Sequence, residues 1–238
     1  MQAPLFGADQ LWIQIMKLGS LLLPALCAVC LATSARAEDV VVIHLKKAGN
    51  SLAPVVIELF ERDAPAHAAN FKNLVSKGFY NDTRIHRVVS GALVQMGDPL
   101  SRRKNSPDLG TGGPGYTLPP EIKRTHAAGI VGMGRLPDSL NPGRLSNGSQ
   151  FYVTLKALPE LDGTQTVFGH VVQGMETFEQ IGNVAVDSSE SPIDRITIGR
   201  CKVVSKDNLA RELKTAQPTS SSGEGFWKRL TSPLSRLF

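Results

Sequence analysis

A chain of 238 residues accommodates one ordinary domain plus tails, and its 42% of hydrophobic residues suffices for a packed core, which excludes global disorder. The net charge of +5 is modest and no basic stripe interleaved with aromatics accompanies it, so no nucleic-acid partner is expected. Three cysteines, two of them in an apolar N-terminal run, exclude a disulfide framework.

Met16-Lys17 supplies a positive start, Leu18 to Ala32 an apolar run, and Ala35-Arg36-Ala37 a small-residue cleavage pattern before Glu38. That order predicts a secretory signal over residues 1–37, with Met16 as the better start. The apolar run is short for a bilayer span, which disfavours an uncleaved anchor. The expected location is exported, periplasmic or secreted, with an organelle lumen as the other destination. Cys27 and Cys30 leave with the signal. Cys201 stays, in an alternating run that reads as a small buried apolar position.

Val40 to Lys46 and Pro54 to Phe60 read as strands around an Ala48-Gly49-Asn50 turn. Asp63 before Ala64-Pro65 marks a helix start with a side-chain cap. Ala68, Phe71, Leu74 and Val75 recur at helical spacing, and Gly78 ends the helix. Further strands are expected at Ile85–Val89, Leu93–Met96, Gly129–Met133, Gln150–Leu155, Val167–Val172 and Ile193–Val204, with a second short helix at Met175–Ile181. Many short strands and only two helices predict an antiparallel sheet or barrel over residues 38–206. Residues 207–238 read as a flexible linker ending in a short basic and aromatic tail. The tail has the make-up of a weak membrane-surface contact, although Pro233 breaks it; a frayed terminus is the alternative.

Four blocks carry the chemistry. Arg84-Ile85-His86-Arg87-Val88-Val89-Ser90-Gly91-Ala92-Leu93-Val94-Gln95-Met96-Gly97-Asp98 joins two strand-like runs through a Ser-Gly turn. Gly110-Thr111-Gly112-Gly113-Pro114-Gly115-Tyr116, Asn147-Gly148-Ser149-Gln150-Phe151 and Leu161-Asp162-Gly163-Thr164-Gln165-Thr166-Val167-Phe168-Gly169 follow in order. The glycine block also satisfies G-x-G-x-x-G, but a polar run precedes it and Thr117-Leu118-Pro119-Pro120 follows, so a dinucleotide site fails on context. The five histidines are dispersed, without metal-ligand spacing.

In this order the blocks resemble the cyclophilin family of peptidyl-prolyl cis-trans isomerases, over roughly Val40 to Val204. The resemblance implies a mainly β fold: a closed eight-stranded antiparallel β-barrel capped by two α-helices. It implies ligand binding on the outer wall, because the interior of so small a barrel is filled with side chains. It further implies an isomerase that accelerates X-Pro rotation in protein folding, acting on proline-containing polypeptide clients with no cofactor and no metal; the sequence shows no sign of obligate oligomerisation, so a monomer is expected. Such chemistry needs only three things: a donor to the proline nitrogen as its lone pair localises, a group that holds the peptide backbone, and an apolar pocket for the ring.

Arg87 matches the family's catalytic arginine and Gln95 the glutamine that orients the substrate backbone. Ala92, Leu93, Met133 and Gln150 match the substrate wall, as do Phe151, Tyr152, Leu161 and Gln165. The chain also departs from the pattern. Ala92-Leu93 stands where the family commonly has Phe-Met, and Tyr152 replaces a frequent Phe. Met96 replaces a Gly, and Arg135 a small polar residue. Glu160 occupies a position often aromatic, and Gln165 one often histidine. A thinner apolar wall makes a cyclophilin-like proline-peptide-binding module or chaperone with weak or no catalysis the alternative expectation.

Overall fold

The computed structural model describes residues 38–103 and 106–215; the expected signal with its two cysteines, and the tail from residue 216 onward, lie outside them. In chain order the elements are β1 (Asp39–Lys47), β2 (Asn50–Ser51), β3 (Val55–Leu59), α1 (Pro65–Ser76), β4 (Arg87–Val89) and β5 (Leu93–Met96). Next come β6 (Ile130–Met133), β7 (Phe151–Thr154), β8 (Val167–Gln173), α2 (Met175–Gly182), β9 (Ile196–Ser205) and α3 (Lys206–Thr215).

All pairings are antiparallel, in a nine-stranded sheet of order β2-β1-β3-β8-β6-β7-β5-β4, with β9 also on β1. β9 pairs β1 along its whole length, so β2 and β3 must share the opposite edge of β1, and the sheet is eight positions wide. The named strands form an open, curled path rather than a ring. Its two ends approach through Asp82 to Ile85, which meet β9 outside any named strand: Ile85 N–H donates to Ile196 O and Ile198 N–H to Thr83 O.

The near-continuous apolar run of β1 has two faces to bury. Val41, Ile43 and Leu45 enter the main core, while Val40 and Val42 pack with Val56 and Val204 beneath Leu209 and Leu213 of α3. That third helix corrects the reading of residues 207–215 as part of a flexible linker: they are helical to Thr215. Only two apolar residues, four apart, anchor it, too few to stand out as a periodic pattern.

Helix α1 begins as predicted, but its cap differs. Ala64 occupies the N-cap with no side-chain bond, and Asp63 instead accepts from Arg124 Nε at 2.5 Å. The free first-turn N–H groups of Ala66 and His67 donate to the two carboxylate oxygens of Glu121, at 3.1 and 3.0 Å. A residue far along the chain therefore supplies both the hydrogen-bond acceptors and the negative charge that a helix N-terminus favours. At the other end Gly78 N–H donates to Val75 O and Phe79 N–H to Leu74 O, the paired bonds of a Schellman stop. Gly78 sits at φ +66°, a conformation that glycine adopts without cost.

Candidate active site

A Ser90-Gly91 turn folds β4 back onto β5 and puts Arg87 directly opposite Gln95, both on the outer face; Val88, Val94 and Met96 point into the core. β5 pairs with β7 so that Gln95 faces Tyr152, again on the outer side. From this register runs one chain of hydrogen bonds. Gln150 Nε2 donates to Gly110 O at 2.8 Å and Gly112 O at 2.7 Å. Its Oε1 must then face Gln95, whose Nε2 donates to it at 3.1 Å. Gln95 Oε1 is left to accept from Arg87 Nη1, a long contact of 3.5 Å. Carbonyls at one end thus orient both amides in turn. Arg87 Nε donates to Glu190 Oε2 at 2.7 Å, and Nη2 has no partner among the described residues.

The glycine block is the far anchor. Asp98 accepts from Gly110 N–H at 2.5 Å and from Leu100 N–H at 2.7 Å. A Cβ on Gly112 would stand 2.1 Å from Asp98 Oδ1, so the close approach of this loop to the sheet requires glycine there. Asn147 ties the loop to the Asn-Gly-Ser turn, donating to Gly112 O at 3.0 Å while its Oδ1 accepts from Gln150 N–H at 3.0 Å.

Two cavities flank the hydrogen-bond chain and share Gln95 and Gly110. One, of about 400 Å³, is lined by Gly134, Arg135, Leu136, Leu140, Asn147 and Gln150 among others. The other, of about 680 Å³, lies on the Arg87 side against Arg84, His86, Leu109 and the Asp187–Ile193 loop. Leu93 is half-buried on the outer face of β5, and Ala92, in the turn before it, and Leu161 are half-buried. Tyr152 is buried, and the hydroxyl it adds to the wall meets His126 Nε2 at 2.9 Å; His126 Nδ1 in turn lies 2.8 Å from Asp162. That relay ties β7 to the block containing Leu161. Gln165 is half-buried, with an Oε1 that has no partner among the described residues. A second relay joins Ser146, His67 and Glu121 at 2.9 and 2.6 Å. It has the connectivity of a hydrolase triad, but Ser146 is 1% exposed, so no substrate reaches its hydroxyl. Among the described residues no three His, Cys, Asp or Glu side chains converge as a metal site.

The family model "Cyclophilin type peptidyl-prolyl cis-trans isomerase/CLD" matches residues 41–203. The chain belongs to the cyclophilins. Among its relatives, the peptidyl-prolyl cis-trans isomerase CYP18-2 of Arabidopsis thaliana is 34% identical over 154 residues, 65% of this chain and 90% of that protein. Peptidyl-prolyl cis-trans isomerase-like 1 of Mus musculus is 35% identical over 148 residues, 62% of this chain and 85% of that one. A Cryptosporidium parvum cyclophilin crystal structure superposes with a TM-score of 0.61 at 30% identity, covering 71% of this chain and 98% of its own. A second structure of that protein, determined in the presence of the dipeptide Ala-Pro, gives 0.59 at 30% identity, covering 70% and 99%. The chain is a peptidyl-prolyl cis-trans isomerase of the cyclophilin type.

Two of the expected substrate-wall residues are corrected by strand parity. Met133 and Phe151 are both fully buried, pair with each other across β6 and β7, and pack in the core with Phe71 and Met96. Side chains alternate along a strand, so when Gln95 and Tyr152 face out, Met96, Phe151 and Met133 face in. The groove is lined instead by the next residues, Gly134 and Arg135. Arg135 is held in that wall by Thr164 O and by Asp138, with its side chain 5% exposed. Cys201 is buried, as its alternating run indicated, and burial pushes its thiol pKa up.

His86 stands at the floor of the larger cavity, 5% exposed. Its ring lies near Gln150, yet among the described residues neither nitrogen meets a partner at hydrogen-bond geometry. Burial pushes its pKa down to about 4, against a smaller upward pull from Asp98. The unfolded chain therefore takes up this proton first as pH falls, and the favourable difference present above the ordinary value of 6.5 is lost on the way down to about 4. The loss attributable to this residue is about 3 kcal/mol. Urea unfolding at pH 7 and pH 4 is expected to show it in the native sequence, and to show a correspondingly flatter response in His86→Gln. Equal pH dependence in the two proteins would remove His86 as its source.

Proposed function

We propose that this cyclophilin is an exported prolyl isomerase acting on proline-containing polypeptide clients during folding, with Arg87 as the group that acts on the twisting amide. One observation carries the assignment: the hydrogen-bond chain from the glycine block ends on Arg87, which lines the larger cavity and whose Nη2 has no partner among the described residues. Rotation about a prolyl bond faces a barrier of about 18–20 kcal/mol from amide conjugation. At the twisted state the proline nitrogen becomes pyramidal and regains a lone pair. A guanidinium N–H pointed at that nitrogen gains strength as the lone pair forms, so it favours the transition state over either ground state. Gln95 holds the substrate backbone on one side of the bond, while Ala92, Leu93, Tyr152 and Leu161 form the apolar wall for the ring. The Cryptosporidium relative crystallised in the presence of Ala-Pro supports a proline-containing ligand for this groove. The bonds from Asp82–Ile85 to β9 favour a closed barrel as the finer description of the scaffold.

A protease-coupled assay on an X-Pro peptide tests the assignment by comparing the native protein with Arg87→Ala. Equal rates for the two would sink it. Export is tested separately, by expressing the full chain and sequencing the N-terminus of the mature product. Glu38 is the expected first residue; a cytosolic product that retains the apolar run would overturn export.

A further inference from the structure

Glu190 lies outside all four sequence blocks, yet its carboxylate is the strongest contact of Arg87, with Nε donating to Oε2 at 2.7 Å. We propose that Glu190 is a positioning residue for the isomerase reaction: it fixes the plane of the Arg87 guanidinium so that Nη2 faces the prolyl amide. The inference rests on the assignment of Arg87 made above.

The loop that carries Glu190 is built to hold it still. Asp187 Oδ1 accepts from Ser189 N–H at 2.8 Å and from Ser191 N–H at 3.0 Å. Asp187 N–H donates to Ser191 O at 2.9 Å, and Glu190 N–H to Asp187 O at 3.0 Å. Val186 and Pro192 close the base of the loop as a bridge. Glu190 itself sits at φ +61°, where a residue with a side chain is uncommon, so the surrounding bonds impose its conformation. Its carbonyl accepts from Val88 N–H at 2.7 Å, which ties the loop to the residue next to Arg87 in β4. Backbone and side chain thus grip the same short strand from one rigid turn.

Stability does not account for the arrangement. Both partners are nearly half exposed, 44% for Arg87 and 43% for Glu190, and an ion pair so open to water adds little to folding. An arginine side chain has many rotamers, and a long contact to Gln95 alone would leave it free to sample them. With Nε on Glu190 and Nη1 on Gln95, the planar fork is held at two points before substrate arrives, so its ordering is not charged to the transition state.

The test is steady-state kinetics of the full chain on an X-Pro peptide, with Arg87→Ala as the control. Glu190→Gly removes the carboxylate and suits a positive φ, so the turn keeps its shape. It is expected to lower kcat about tenfold with KM nearly unchanged, since only the transition state uses the oriented N–H. Glu190→Gln keeps an acceptor for Nε–H and is expected to recover activity to within about threefold of the native protein. In parallel, the NMR order parameter of the Arg87 Nε–Hε group should fall in Glu190→Gly and stay near its native value in Glu190→Gln. A native or raised kcat in Glu190→Gly, or an unchanged order parameter, overturns the inference. If Arg87→Ala loses activity and Glu190→Gly does not, the positioning role alone fails; if Arg87→Ala is fully active, the assignment of Arg87 fails instead.

Discussion

Arg87→Ala is expected to lower kcat/KM on an X-Pro peptide by about a hundredfold to a thousandfold, the loss that follows removal of one preorganised donor from a developing charge. The fold should survive. The arginine side chain is 44% exposed, its partner Glu190 is 43% exposed and is rehydrated when the guanidinium goes, and no core residue loses a neighbour. Arg87→Lys separates charge from geometry. An ammonium keeps the positive charge but presents a single nitrogen, which cannot reach Glu190 and Gln95 and still offer a donor in the same plane. A lysine variant close to alanine in rate would show that the fork matters; one close to the native protein would show that charge alone suffices. Retained native turnover in Arg87→Ala, with an unchanged circular dichroism spectrum, would move the chemistry elsewhere in the groove.

The polar half of this site was legible because local register carries it. Arg87 and Gln95 are eight residues apart across a Ser-Gly turn, a spacing that places them opposite each other on two paired strands. The apolar half was only partly legible. The motif alone assigns Met133 and Phe151 to the groove, whereas the alternation that runs through Val94, Met96 and Val153 puts both inside. Parity, applied strand by strand, was the available signal, and it points to Gly134 in place of Met133.

Glu190, Glu121 and His126 form a different class. Each acts through a partner that is distant in the chain: Glu190 on Arg87, Glu121 on the start of α1, His126 on Tyr152. Nothing local marks such a residue, since a carboxylate in a turn looks the same whether it caps a helix or meets solvent. The strands were easier because burial writes a period into them. Even so, β1 conceals the third helix, for its double-sided burial reads as a plain apolar run and α3 contributes only Leu209 and Leu213.

Phe71→Ala should cost about 3–5 kcal/mol of folding stability, the range for deleting a buried aromatic ring, out of a total that for domains of this kind is about 5–15 kcal/mol. Phe71 is fully buried on the inner face of α1. Its ring stands 5.3 Å from Tyr80, 5.1 Å from Phe151 and 5.1 Å from Phe168, in tilted and edge-on arrangements. Those three rings belong to the turn after α1, to β7 and to β8, so no single shift fills the space that alanine would leave. Tyr80 is further held by its hydroxyl, which donates to Ser149 O at 3.2 Å, and Phe151 by ladder bonds on both sides. The cost therefore belongs at the upper part of the range, because it grows with the cavity that remains. Urea unfolding reads it as a lower midpoint at an unchanged m-value. A loss below about 1 kcal/mol would mean that the cluster closes over the gap and is not the keystone its geometry indicates. Activity separates the two kinds of residue: Phe71 faces the core and not the groove, so Phe71→Ala should keep native kcat in its folded fraction, where Arg87→Ala keeps native stability and loses kcat.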